Sequence, residues 1–455
     1  MRLYETFARD LPIVDYHCHL APAVITADAG FDEIVDLWIA SDPYKWRAMR
    51  LNGIPEQLIT GPAPAEEKFS AWARTVPRLV GNPLFHWSAM ELDRFFDIGE
   101  TLCEENADRV RQTCNERLQA GDFRPQTLLC QAGVERFCTS DAWTDSLEHH
   151  QEFRRASCNV SMLPSLRGDE ALAVDAPEYP SWIELVSQMT GIVIIGLESL
   201  MQALTASLDR FESNGCRTAD HSLADTAFSP ISDSEADAHL AQILAGNQLS
   251  EAEALGLRST LLANLAKEYA HRGWFLQLHL GAARWTSSRL RRLCGPAGGY
   301  ACIGSTQPIE PLCRLFDLLE QQDALPRVIL YPLNPVDFEM LASLTGSFSE
   351  DGVPGKIQLG PAWWYNDHCD GIRRQLKAVA AYSLLGRFVG MTTDSRSFLS
   401  TVRHDYFRRL LCDLIGGWVA EGDLPDDDSI LGPLVTDICY ENANRLLTEE
   451  LEKKS

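Results

Sequence analysis

A parallel (β/α)8 barrel of the TIM type, interrupted by a long helical insertion, is the fold class this 455-residue sequence predicts. Two observations lead there. Short apolar runs recur between long segments of helical periodicity, and eight of them can be picked out, the number that closes a parallel barrel. Run after run also closes on a reactive side chain, as barrel enzymes require when they build a site from the C-terminal ends of several strands.

In chain order the runs are "LPIVDYH" (11–17), "VERFCTS" (134–140), "CNVSMLPS" (158–165), "GCRTADH" (215–221), "WFLQLHL" (274–280), "RVILYPL" (327–333), "KIQLG" (356–360) and "FVGMTTD" (388–394). Their endings supply His17 and His19, Asp141, Arg167, Asp220 and His221, His279, Asn334, Trp363 and Trp364, then Asp394 and Arg396. The spacing is uneven. More than a hundred residues separate the first two runs, far beyond one crossover helix. Segments such as "FDEIVDLWIA" and "EEKFSAWARTVPRLV" make residues 22–130 a helical insertion on the C-terminal face of a barrel spanning 1–455. A smaller helical insertion is expected over 222–270.

Composition narrows the function classes. A formal net charge of −24 repels phosphate backbones, so nucleic acid is not the expected partner. A small anionic substrate remains open, because a few arginines inside a pocket reverse the sign locally. The sequence has no run of eighteen or more apolar residues, so no membrane span is expected. Thirteen scattered cysteines without a CxxC pair suit reduced thiols. "MRLYETFARD" has no apolar core of a secretory signal, and a cytoplasmic enzyme is the expectation.

"DYHCHL" (15–20) poses the chemical question. Side chains at i and i+2 of a strand share a face, so His17 and His19 point together while Cys18 turns into the wall. Taken alone, the two could be hydrogen-bonded core histidines. With His279 closing the fifth run and Asp394 the last, four side chains can surround one divalent ion. Nitrogen and oxygen donors suit zinc, with manganese or another divalent metal as alternatives, and an open position would serve water or substrate.

At this point the motifs "DYHCHL", "YKWRAMRLNGI", "GNPLFHW", "DSLEHH", "LPSLR", "DHSL", "RGWFLQLHLGAAR", "WWYNDHCDGIRRQL" and "TDSRSFLSTVRHDYFRRLLC" can be read together. The sequence resembles the uronate isomerases (glucuronate isomerases) of the amidohydrolase superfamily, nearly end to end. The resemblance implies a distorted (β/α)8 barrel with an inserted helical domain. It implies aldose–ketose isomerisation of D-glucuronate to D-fructuronate and of D-galacturonate to D-tagaturonate in bacterial hexuronate breakdown, with zinc as the usual metal. By motif, His17, His19 and Asp394 would be metal ligands and His279 a further ligand or close neighbour. Tyr44 and Arg396 would handle the C2 proton, and Asp394 a hydroxyl proton during ring opening. Arg167 and Arg284 would bind the sugar acid and Trp363 would form pocket wall.

The chemistry itself asks for such groups. A weakly acidic C2 proton needs a cation beside the developing oxyanion, and a tyrosine acts as a base only where a guanidinium stabilises its phenolate. Other residues read as structural. The arginines of "RHDYFRRLLC" would be structural or part of a subunit contact, which leaves room for a homo-oligomer, and His149 and His150 would be solvated.

The chain departs from the family pattern at four places. Pro43 stands where a histidine usually precedes the tyrosine, "WTS" (285–287) replaces an asparagine run, "GPAGGYACI" (295–303) lacks two carboxylates, and "DAW" (141–143) replaces "DDP". These loops shape a pocket and spare the metal ligands. The competing readings are a metal-dependent hydrolase or decarboxylase on the same barrel, and a non-catalytic sugar-acid binder.

Overall fold

A computed structural model describes residues 2–155 and 159–448. Ten strands occur in chain order: β1 (Ile13–Asp15), β2 (Val134–Cys138), β3 (Ser161–Leu163), β4 (Leu166–Arg167), β5 (Thr218–Leu223), β6 (Phe275–Leu280), β7 (Ala282–Ala283), β8 (Cys302–Ile303), β9 (Arg327–Pro332) and β10 (Ile357–Leu359). One parallel sheet runs β1-β2-β3 and another β10-β9-β6-β5-β4. A parallel bridge between Asp141 and Leu166 joins them. Strands covered on both faces read as apolar runs without alternation, and all six residues of β6 are buried.

The eighth expected run closes the ring without being a regular strand. Asp394 N donates to His17 O at 3.0 Å and His19 N to Ser395 O at 2.8 Å. On the far side Val389 N reaches only a side chain, Gln358 Oε1, at 3.0 Å. The cause is local backbone: Gly390 has φ +81° and Asp394 φ +47°, values an extended strand does not take. The barrel is therefore distorted at this seam.

Other boundaries move for similar reasons. Cys158 of the third run lies outside the described residues, and Pro164, with no N–H to donate, separates β3 from β4. β1 ends at Asp15 and the chain bends at Tyr16 and His17, with His17 N on Thr392 Oγ1 at 2.9 Å and Cys18 N on Cys138 O at 2.9 Å. The two histidines keep a common direction although neither lies in the strand itself.

Residues 22–131 form seven α-helices and, among the described residues, no strand. Trp38, Phe69, Trp72 and Trp87 fill their centre, each at most 1% exposed. The helix Pro43–Leu51 starts in a way that accounts for Pro43. Asp42 caps it, accepting from Tyr44 N at 2.9 Å and Lys45 N at 3.3 Å. A proline at the first helical position loses no hydrogen bond there. The 222–270 region holds helices Asp233–Leu244 and Glu251–His271, the second of which leads through Gly273 into β6 as its crossover. No helix among the described residues is long and apolar enough to cross a membrane.

Candidate metal centre and active site

His17, His19 and Asp394 lie together. Asp394 Oδ1 lies 2.9 Å from His19 Nε2 and 3.4 Å from His17 Nε2. The other carboxylate oxygen, Oδ2, accepts from the indoles of Trp363 at 2.7 Å and Trp364 at 2.8 Å. Burial raises the Asp394 carboxyl, and the hydrogen bonds from His17 and His19 outweigh that, holding it well below the ordinary carboxylate value. Trp364 has φ +49°, an outlier for a bulky residue, so both partners of this bond hold strained backbone, as functional sites often do.

His279 sits against His17 with ring centres 4.9 Å apart, stacked on Tyr331 at 4.6 Å. Burial pushes its imidazole well below the usual histidine value, the neutral form that coordinates a cation. A second group of possible ligands, His17, Asp220 and His279, overlaps the first, and within each group the ligand atoms lie within 4.8 Å of one another. Asp220 is 4% exposed and its Oδ1 has no hydrogen-bond partner. Its carboxyl is pushed up to about 6 by burial. A buried carboxylate oxygen without a donor, facing two imidazoles, fits a divalent cation. Cys18, fully buried, belongs to neither group.

Tyr44 lines the same pocket as His17, His279, Trp363, Trp364 and Asp394. Arg284 lies over the Trp364 ring at 4.9 Å and donates to Ser222 Oγ at 2.6 Å. Arg167 pairs with Asp169 at 3.3 Å and keeps its side chain 41% exposed. Both arginines feel Asp394 and Asp220, so cationic groups face the pocket of a strongly acidic protein.

The expected partner of Tyr44 is different. Arg396 is exposed, and among the described residues the guanidinium over the Tyr44 ring is that of Arg403, at 5.0 Å. Arg403, in "RHDYFRRLLC", was expected to be structural or part of a subunit contact. Trp364 and Asp367 line the pocket, and Asp220 and Arg403 stand beside it, without a role from the sequence pattern, although the Trp363–Trp364 doublet and Asp220 at a strand end were visible. Two flagged residues lie elsewhere. Asp141 accepts from Thr139 Oγ1 at 2.7 Å and Ser165 N at 3.2 Å, sealing the seam of the two sheets. His150, expected in solvent, is 1% exposed and bonded to Thr139 at 2.8 Å.

Two departures from the family pattern touch each other. Gly299, in the 295–303 loop, has φ +78°, and a Cβ there would collide with the Pro43 carbonyl oxygen. Arg47 donates to Ala301 O at 3.0 Å, fastening the same loop to the helix that carries Tyr44.

The family profile for glucuronate isomerase matches residues 1–447. A uronate isomerase of Halalkalibacterium halodurans is 45% identical over 441 residues, covering 97% of this chain and 93% of that protein. One from Bacillus licheniformis is 44% identical over 452 residues, covering 99% and 96%. The crystal structure of the Thermotoga maritima uronate isomerase superposes with a TM-score of 0.92 at 30% identity, over 98% of this chain and 96% of that one. With a metal-fit cluster at a barrel mouth and agreement over nearly its whole length, the chain belongs to the glucuronate isomerase family.

Proposed function

We propose that this enzyme interconverts D-glucuronate with D-fructuronate and D-galacturonate with D-tagaturonate. The observation that carries the reading is the meeting of His17, His19 and Asp394 in a pocket that also holds Tyr44. His17, His19 and Asp394 would hold one zinc ion, with His279 and Asp220 beside it. When bound, a divalent ion offsets the negative charge that develops on the substrate oxygens.

The protein's own groups do the rest. Arg167 and Arg284 hold the substrate carboxylate, for which guanidinium forks are suited. Asp394, with Oδ2 held by two indoles, presents Oδ1 to take and return a hydroxyl proton as the ring opens. Tyr44 moves the C2 proton, with Arg396 at the rim. Trp363 and Trp364 wall the pocket. Residues 22–130 act as the inserted helical domain that brings Tyr44 to the barrel, and the scattered free thiols support work in a reducing cytosol.

Proton NMR of the zinc-loaded protein with each hexuronate in deuterated water tests this. Conversion to the ketose at unchanged mass, apart from exchanged deuterium, is the expected result. Metal-loaded protein that converts neither sugar overturns the assignment, and a product of altered mass selects a hydrolase or decarboxylase.

A further inference from the structure

The helix Val402–Glu421 carries one arginine that faces inward at its first turn. Arg403 is 1% exposed. Its guanidinium carbon lies 5.0 Å from the centre of the Tyr44 ring and 4.0 Å from that of Trp87. Tyr44 meets the same Trp87 edge-on, at 6.3 Å and 82°. Arg403 Nη1 donates to the carbonyl of Thr393 at 2.9 Å, the residue before Asp394. Asp367 Oδ2 lies 4.0 Å away, on a residue that lines the pocket with Tyr44. One buried cation therefore touches the phenol, the backbone that carries Asp394, and a pocket carboxylate.

The neighbouring buried charges have a different centre. Lys45 Nζ lies 2.7 Å from Asp42 Oδ2 and 3.7 Å from Glu91 Oε2, with Trp38 also donating to Glu91. That cluster is paired through Lys45, so Arg403 is not needed as its main counter-charge. At Tyr44 the balance is otherwise. Burial first, then the charge of Asp394, push its phenol well above the ordinary tyrosine value, while Arg403 acts in the opposite sense to Asp394, Asp367 and Asp42.

We propose that Arg403 is a positioning residue for Tyr44: its guanidinium face fixes the phenol ring in the pocket and supplies the positive charge against which a phenolate forms. The proposal rests on Tyr44 as the group that moves the C2 proton. In that step the proton passes to the Tyr44 oxygen, and the electron pair of the C–H bond stays with the substrate as an enediolate. Arg403 touches neither substrate nor ion and acts through Tyr44.

Arg403→Ala in the full-length, zinc-loaded protein tests it. We expect kcat to fall about 100-fold, the scale of a displaced reacting group, with KM and bound zinc nearly unchanged. The isotope effect with C2-deuterated glucuronate should rise, because proton removal becomes the slow step. Free guanidinium ion should restore the variant and urea should not, and Arg403→Lys should retain part of the rate. Loss of zinc in proportion to rate, or an unchanged isotope effect with no guanidinium rescue, overturns the proposal in favour of a purely structural arginine. If the alanine variant does not fold, Arg403→Gln with Asp367→Asn removes cation and carboxylate together, and the same readings apply. A readout independent of turnover separates this from the functional reading. With a fluorotyrosine at position 44, loss of Arg403 should shift and broaden the fluorine resonance and guanidinium should restore it, even if the wild-type chain converts neither sugar; an unmoved resonance overturns the contact.

Discussion

The barrel mouth and the helical side of the pocket handle charge in opposite ways. At the mouth, His17 Nδ1 and Asp220 Oδ1 are buried without a hydrogen-bond partner, and Asp394 offers one oxygen to two imidazoles. Behind Tyr44, the buried ions face opposite charges of the protein itself, Lys45 with Asp42 and Glu91 and Arg403 with Asp367, although Arg403 Nε and Asp367 Oδ1 have no hydrogen-bond partner. The first region is built to receive a cation and a substrate. The second supplies its own counter-charges and keeps one side chain, Tyr44, in place. A site that must bind a cation gathers ligand atoms without a counter-cation, whereas the shell behind it brings cations and carboxylates of the chain together.

That contrast can be broken most directly at Asp394. Asp394→Ala should lose zinc and activity by more than the roughly 100-fold that marks the loss of a mere supporting partner. Metal content after dialysis against a weak chelator checks it, and full zinc retention would remove Asp394 from the ligand set. In the second region the expected damage is to stability. Lys45→Met leaves two buried carboxylates without their cation and should cost about 3–5 kcal/mol by denaturant unfolding. A loss under 1 kcal/mol on the order seen for exposed pairs would show that the cluster is not electrostatically closed.

A subtler change sharpens the boundary between the two regions. Trp364→Phe keeps the ring and removes one of the two donors to Asp394 Oδ2. Zinc affinity should fall about 10-fold, as for other groups that orient a ligand, with folding stability nearly unchanged. Competition with a chromophoric chelator measures it.

The smallest effect belongs to Asp141, which lies in neither region. Burial pushes its carboxyl up to about 7, while His150, 3.6 Å away, is pushed down to about 4 by burial. Between the unfolded value near 4 and about 7 the folded state alone holds the Asp141 proton, so stability falls as pH rises through that window and levels off above it. Wild-type protein should lose about 1 kcal/mol relative to Asp141→Asn between pH 6 and pH 8. Parallel stability curves for the two proteins would contradict the raised carboxyl.

Legibility followed chain distance and periodicity. His17 and His19 could be read as a pair from their two-residue spacing, and both imidazoles do meet Asp394 although β1 stops at Asp15 and the chain bends there. The apolar runs marked β1, β6 and β9 because strands buried on both faces are mostly apolar, and β2 and β10 by their shorter apolar runs. Pro43 and the 295–303 loop stood out as departures, but their contact through Gly299 did not. The last run looked like a strand and is not one, since φ at Gly390 and Asp394 follows from the ring seam rather than from residue type.

By itself the sequence determined the parallel α/β architecture, the family, and the side chains available for a cation, because periodicity and motif are local properties. Only the tertiary structure decided which arginine rests on Tyr44, which carboxylate is left without a donor, and which oxygen of Asp394 the indoles take. Those relations join residues up to several hundred positions apart. They depend on distances of a few ångströms and on burial, and neither is set until the helices of the insertion pack against the mouth of the barrel.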